Sequence, residues 1–174
     1  MIAKRDAKPT ERRRMDAAAL SSLPTDSALA ALMREALREA EMAAAEEELP
    51  IGAVVVIDGL IVARGHARHR QLRSQLAHAE LQALLAGGEA LWRAFDRAML
   101  ITTVEPCPMC LGAAVMADVP HVIFAAHDAA MHSGQTVASN PYVRRHIKTY
   151  RGGVLEAEAR ALIARFAPEM LSRS

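Results

Sequence analysis

Two short segments constrain this chain more than any other feature: His78-Ala79-Glu80 and Pro106-Cys107-Pro108-Met109-Cys110. Together they supply one imidazole, two thiols and one carboxylate. A His with a Cys-x-x-Cys pair is a three-donor set for zinc, and three protein ligands leave a tetrahedral ion one open position, the catalytic arrangement rather than the closed structural one. Water there loses its proton more readily than in bulk. Glu80 follows His78 by two residues, which suits it to move protons rather than to serve as a fourth ligand. Any fold for this chain must bring the two segments together.

The segments lie where secondary structure changes. Met99 to Val104 reads as an apolar strand closed by Glu105-Pro106, and Pro108 fits the first turn of a helix, where its missing N–H costs little. Leu111 to Ala117 continues that helix. Ala77 to Leu85 reads as a second helix that holds His78 and Glu80 in its first turn and stops at Gly87-Gly88. Two helix N-termini facing one centre would favour thiolates and developing negative charge.

The rest of the chain supplies a layered scaffold. Residues 26–47 read as a packing helix capped by Asp26 or Ser27, with Leu29, Leu32, Met33, Ala36, Leu37, Ala40 and Ala44 on one face. Ala53 to Ile57 and Leu60 to Ala63 read as a hairpin about Asp58-Gly59. Gly65 to Gln75 reads as a polar, basic loop, and Arg93 to Arg97 as surface. Val119 to Ala126 reads as another strand. Residues 127–153 are mixed, with turn signals at Ser133-Gly134 and Asn140-Pro141. Leu155 to Phe166 reads as the last helix, ended by Pro168. Alternating strands and helices predict an α/β layered domain.

Bulk properties narrow the function classes. An apolar fraction of 52% excludes general disorder, and there is no run of apolar residues long enough to span a membrane. Residues 1–24 read as a flexible tail, and 25–174 as the folded domain. The tail's Lys4, Arg5, Lys8 and Arg12 to Arg14 offer an alternative as a nucleic-acid arm. Residues 1–16 hold +3 of a net charge of +1, so the body carries about −2 and gives no bulk nucleic-acid signal. The only two cysteines lie in one motif, and no apolar signal segment follows the N-terminus. Both point to a reducing, cytoplasmic setting. Two other uses of the motif are a redox dithiol and a closed zinc site with a fourth ligand from His66, His69, His121, His127 or His132.

His-x-Glu followed by Pro-Cys-x-x-Cys resembles the signature of the zinc-dependent cytidine and nucleoside deaminases, in which the Glu is the acid/base and not a ligand. The likeness covers roughly residues 30–166. Met33-Arg34-Glu35-Ala36-Leu37, Pro50-Ile51-Gly52-Ala53 and Gly153-Val154-Leu155-Glu156-Ala157-Glu158 resemble bacterial tRNA adenosine deaminases. Pro106 to Ala113 is similar to guanine deaminases, and Gly65-His66 to fungal-type cytosine deaminases. The resemblance implies a three-layer, cytidine-deaminase-like fold with a central mixed five-stranded sheet flanked by helices, and a homodimer whose subunits help to shape the pocket.

It implies zinc on His78, Cys107 and Cys110, with Glu80 catalytic. The reaction it implies is hydrolytic: water attacks the amino-bearing carbon of an aromatic N-heterocycle, Glu80 carries protons to the ring nitrogen, and ammonia leaves. His66, Ala67, Ala79, Pro106 and Asp128 fall at its substrate wall. Here the chain departs from the tRNA enzymes. His66-Ala67 stands where those enzymes and the guanine deaminases carry Trp-Asn, and Ala67 has neither the donor nor the acceptor of that Asn. Ser74-Gln75-Leu76 replaces an Asp-Pro-Thr-like segment, and Asp128 to Gly134 is only a partial match. The expected substrate is therefore a small amino-substituted nucleobase or nucleoside. The alternatives are the wobble adenosine of a tRNA and a catalytically silent zinc-binding protein on the same fold.

Overall fold

The computed structural model describes residues 23–171. Residues 1–22, which include the basic arm and nearly all of the expected tail, lie outside them. Helix α1 (Asp26–Ala45) starts where the sequence suggests, but its cap is Thr25 and not Asp26 or Ser27: the Thr25 Oγ1 accepts the Ala28 N–H at 3.3 Å. Strands β1 (Gly52–Ile57) and β2 (Leu60–His66) form the expected hairpin. Asp58 and Gly59 both take positive φ, 51° and 79°, the geometry a two-residue hairpin turn requires. Strand β2 runs on through Gly65 and His66, so the loop begins only at Ala67.

Helix α2 spans Ala79–Ala94. The glycine pair breaks it without stopping it: Gly88 adopts φ 45° and ψ −128°, and helix resumes beyond because Leu91 and Ala94 still bury against the core. Strand β3 (Ala98–Val104) leads to α3 (Pro108–Met116), and β4 (His121–Ala126) follows. The stretch expected to be mixed contains two short helices, α4 (Ser133–Ser139) and α5 (Pro141–His146), and strand β5 (Thr149–Arg151). Asn140-Pro141 is a helix start and not a turn. Asn140 Oδ1 accepts the N–H groups of Tyr142 and Val143, and Pro141 takes the first helical position. Helix α6 (Glu156–Phe166) ends before Pro168, as expected.

The five strands form one mixed sheet in the order β2-β1-β3-β4-β5. β1 is antiparallel to both β2 and β3, while β3, β4 and β5 are parallel. Two antiparallel steps cancel, so β2, β3 and β4 all point the same way. The segments that leave their C-terminal ends emerge along one edge, where ligands bind in open α/β sheets. Both faces are covered, which is why β1 and β3 are buried throughout. Ala53, Val55, Leu100 and Val122 pack toward Ala83, Leu84 and Leu111 of α2 and α3. Val54, Val56, Ile101 and Ile123 pack toward Leu29, Met33 and Ile163 of α1 and α6. Among the described residues no helix is long and apolar enough to cross a membrane.

Two glycines set how closely helices approach the sheet. A Cβ on Gly52 would overlap the Ala36 carbonyl and the Ala40 amide of α1, and one on Gly65 would overlap the Ala79 carbonyl and the Ala83 amide of α2. Gly65 thus lets the first turns of α2 lie directly on β2. Residues 67–77 cross above. Their ends are tied by Ala67 N–H to the Ile51 carbonyl and Arg68 N–H to the Ala77 carbonyl, both at 3.0 Å. Their middle is held by Glu48, whose Oε1 accepts the Gln71 N–H at 2.8 Å. Burial pushes the Glu48 carboxyl up, but the Gln71 and Arg70 backbone donors outweigh it and hold its pKa below the ordinary 4.5.

Two outcomes follow from this packing. Gly65→Ala should destabilise the protein by about 2–3 kcal/mol, because the overlap is with backbone that cannot rotate away; thermal or urea unfolding measures it. Glu48→Gln should cost about 2 kcal/mol near pH 7, the worth of hydrogen bonds to a charged group. Because the folded pKa is depressed, that stability is fully present above the unfolded value of 4.5 and fades as pH falls through the folded value. Urea titrations at several pH values should therefore show the gap between wild type and variant closing at acid pH.

Candidate metal centre and active site

His78 is the N-cap of α2 and Cys107 the N-cap of α3. Each has extended backbone, φ −73° and ψ 150° for His78, φ −64° and ψ 166° for Cys107, and neither side chain caps its own helix. Both turn toward a shared point instead. Cys110 lies in the first turn of α3 and is fully buried. His78 Nδ1 stands 3.7 Å from Cys107 Sγ and 3.5 Å from Cys110 Sγ. All three donor atoms lie within 4.8 Å of one another.

These spacings test the fit of zinc. Tetrahedral placement at ordinary Zn–N and Zn–S lengths separates nitrogen from sulfur by about 3.6 Å, so the donors already stand where the ion would need them. Among the described residues only these three form such a cluster. None of His66, His69, His121, His127 or His132 joins it, so the centre keeps an open position and the closed structural alternative finds no fourth ligand. A backbone hydrogen bond to Gln75 fixes the His78 ring from outside, the kind of outer support that orients metal-binding imidazoles.

The donors interact strongly. A hydrogen bond from Cys110 draws the Cys107 thiol down to about 4, against the effect of burial, and His78 adds a second hydrogen bond. Cys110 is driven upward, as donor to Cys107 and through burial. His78 is raised, chiefly by its hydrogen bond to Cys107. This thiolate–imidazolium pairing marks a donor set that gives up protons to a cation. Glu80 sits in the first turn of α2, only 4% exposed, within electrostatic reach of both cysteines. Burial pushes its carboxyl up.

The loop bearing the cysteines is braced from the C-terminal side, by residues the sequence reading largely missed. Ser133 Oγ donates to the Pro106 carbonyl at 2.7 Å, and both groups are buried. Glu105 Oε1 accepts from the Tyr150 hydroxyl at 2.9 Å, and its Oε2 accepts from the Asp128 N–H at 3.1 Å. Burial and the nearby Glu105 charge push the Tyr150 phenol up. Glu105 is thus a support of the metal loop. Ser133 reads in sequence as a turn residue, and Tyr150 belongs to a three-residue strand with no periodic signal.

The expected substrate contacts divide. Ala79 is fully buried in the first turn of α2, and Pro106 adjoins Cys107, so both stand at the centre. Asp128 uses its carboxylate to accept the Ala130 N–H at 3.1 Å. His66 is held by α1 and its end. Its Nδ1 pairs with Glu39 at 3.0 Å and its Nε2 with Glu46 at 3.2 Å, which leaves neither ring nitrogen for a ligand. No local pattern marks these pairings, because the two acids lie 27 and 20 positions away. Ala67 is wholly buried. His69, read as one residue of a basic loop and as one possible fourth ligand, sits edge to face on His78 with ring centroids 5.0 Å apart.

Comparison with known proteins agrees with this geometry. Residues 26–126 match the model of the cytidine and deoxycytidylate deaminase zinc-binding region. A tRNA-specific adenosine deaminase of Bacillus subtilis (strain 168) is 38% identical over 142 residues, 79% of this chain and 88% of that protein. A solved tRNA:A34 deaminase, studied for A-to-I editing at the wobble position, superposes with a TM-score of 0.67 at 35% identity, over 76% of this chain and 98% of that one. A guanine deaminase of Nitrosomonas europaea superposes at 0.65 and 25% identity, over 83% and 93%. With its one-His, two-Cys zinc triad at the shared edge of the sheet, the chain belongs to the cytidine and deoxycytidylate deaminase family of zinc-dependent enzymes.

Proposed function

We propose that this protein deaminates a small amino-substituted nucleobase or nucleoside by hydrolysis, with Glu80 as the proton carrier. One observation supports this above the others. A buried carboxylate lies in the same helical turn that begins at the metal ligand His78, beside a three-donor cluster that leaves one position open. His78, Cys107 and Cys110 would hold the zinc, which when bound would supply the Lewis acidity that makes water a nucleophile at neutral pH.

Glu80 takes a proton from the attacking water as its oxygen adds to the amino-bearing carbon. It passes the proton to the adjacent ring nitrogen, and a second transfer sends the amino group out as ammonia. The sum is amine plus water to carbonyl plus ammonia. Backbone N–H groups at the starts of α2 and α3, near Ala79 and Cys107, would help to orient the charge that develops. Burial of Glu80 and Ala79 keeps other water away.

The guanine deaminase likeness supports a small ring. A second reading, adenosine within a tRNA, is favoured by the Bacillus subtilis relative and the wobble deaminase structure; exposed Arg70 and Arg73 would then meet phosphate. A homodimer accords with the large apolar side chains left exposed on α2 and α3, Leu85, Trp92 and Met116, each more than 70% accessible. Two free cysteines accord with a cytoplasmic setting.

Ammonia release from the zinc-loaded protein decides between the readings. Guanine, cytosine, adenosine, cytidine and a tRNA anticodon arm with adenosine at the wobble position form the panel. Release from a small member is expected; release only from the arm, with salt-sensitive binding, would install the second reading. Glu80→Gln should keep its zinc and lose about 10²–10⁴-fold in rate. Cys110→Ala should lose the zinc itself, as metal analysis of the purified protein will show. If Glu80→Gln also lost zinc, Glu80 would be a ligand and the assignment of roles would fall.

A further inference from the structure

The side chains at the exit of β2 differ in what they have left to offer. His66 has both ring nitrogens taken by Glu39 and Glu46. Ala67 has no polar group. Arg68 Nε donates to Gln71 Oε1 at 2.8 Å. Ser74 Oγ accepts the Leu76 N–H. Across the centre, Asp128 and Glu105 are committed to Ala130, Tyr150 and the Asp128 amide.

His69 is different. Its Nδ1 is buried and has no hydrogen-bond partner. Among the described residues only one other buried side-chain polar atom is in that position, Thr102 Oγ1, which lies within β3 and not on the site loops. The His69 ring meets His78 at 72°, centroids 5.0 Å apart, so it stands one ring's width from the metal triad without belonging to it. Each imidazole nitrogen is a donor or an acceptor, and a buried one without a partner is costly. A ligand at the centre that reached this nitrogen would end that cost.

We propose that His69 is a specificity-determining contact, its Nδ1 hydrogen-bonding the ring edge of the aminated base and supplying the polar contact that Ala67 cannot. This rests on the deaminase reading above. The ligand class is a planar N-heterocycle that carries, besides its amino group, a further ring N–H, ring nitrogen or carbonyl within reach of the β2 exit.

The test uses His69→Phe, which keeps a ring against His78 and removes both nitrogens, and His69→Asn, which restores a donor and an acceptor. On the panel member that wild type deaminates fastest, His69→Phe should lower kcat/KM at least tenfold, mostly through KM. Zinc content and Tm should stay unchanged, and His69→Asn should recover part of the loss. The preference between guanine and cytosine should shift as well, which a merely structural residue would not cause. Equal kcat/KM for wild type and His69→Phe would overturn the proposal. So would a loss of activity that tracks loss of zinc or of Tm, since His69 would then only support the ligand. Failure of wild type itself on every substrate would overturn the deaminase reading instead. Calorimetric titration with guanine and cytosine then judges His69 alone: a base held by wild type but at least tenfold more weakly by His69→Phe supports the contact, and equal binding or none overturns it.

Discussion

Everything at the candidate site depends on two helix N-termini meeting with their cap side chains turned away from their own helices. A His or Cys at an N-cap is a poor cap, and here neither satisfies a backbone N–H of the helix it opens. What each helix loses in capping, the pair regains as a converged donor set. The sheet makes the meeting possible. β2 and β3 are separated by β1, yet two antiparallel steps leave them parallel, so α2 and α3 start from the same edge and lie on the same face. Had β1 been parallel to either neighbour, His78 and Cys107 would stand at opposite ends of the sheet.

A second layer makes the meeting exact enough for chemistry. Gly65 brings the first turns of α2 onto β2 at a distance no side chain would permit. On the other side, Ser133 and Tyr150 reach from α4 and β5 to Pro106 and Glu105, the two residues that precede Cys107. The C-terminal third of the chain therefore does more than complete the sheet. It fixes the loop from which two of the three donors hang, and bracing of this kind keeps donor spacings near those a metal demands.

How much of this was legible followed from the range of each interaction. Strong local patterns read well: the α1 face, the Asp58-Gly59 turn, the β-branched run of β1, and the spacing of Cys107 and Cys110. So did the metal triad, because its two halves are each short and ordered. Weak local signals misled. Gly87-Gly88 reads as a stop, but burial of Leu91 and Ala94 carries the helix past it. Asn140-Pro141 reads as a turn, because a cap followed by proline looks alike whether or not a helix comes next. Contacts across long sequence separations were out of reach, among them Tyr150 with Glu105 and His66 with Glu39. No periodicity announces such a pair.

The same distinction explains why the chemistry is better defined than the substrate. The metal donors sit at helix starts whose positions the sheet dictates, while residues 66–77 take a conformation that follows from ties to α1 and its end. Glu39 and Glu46 capture His66, Gln71 donates its side-chain amide to Glu46, and Glu48 takes the Gln71 N–H. This acidic set converts the β2 exit from a place that could contact a ring into one that anchors a loop. His69, lying on the metal ligand with a buried nitrogen unpaired, is the polar contact proposed for the base in place of Ala67.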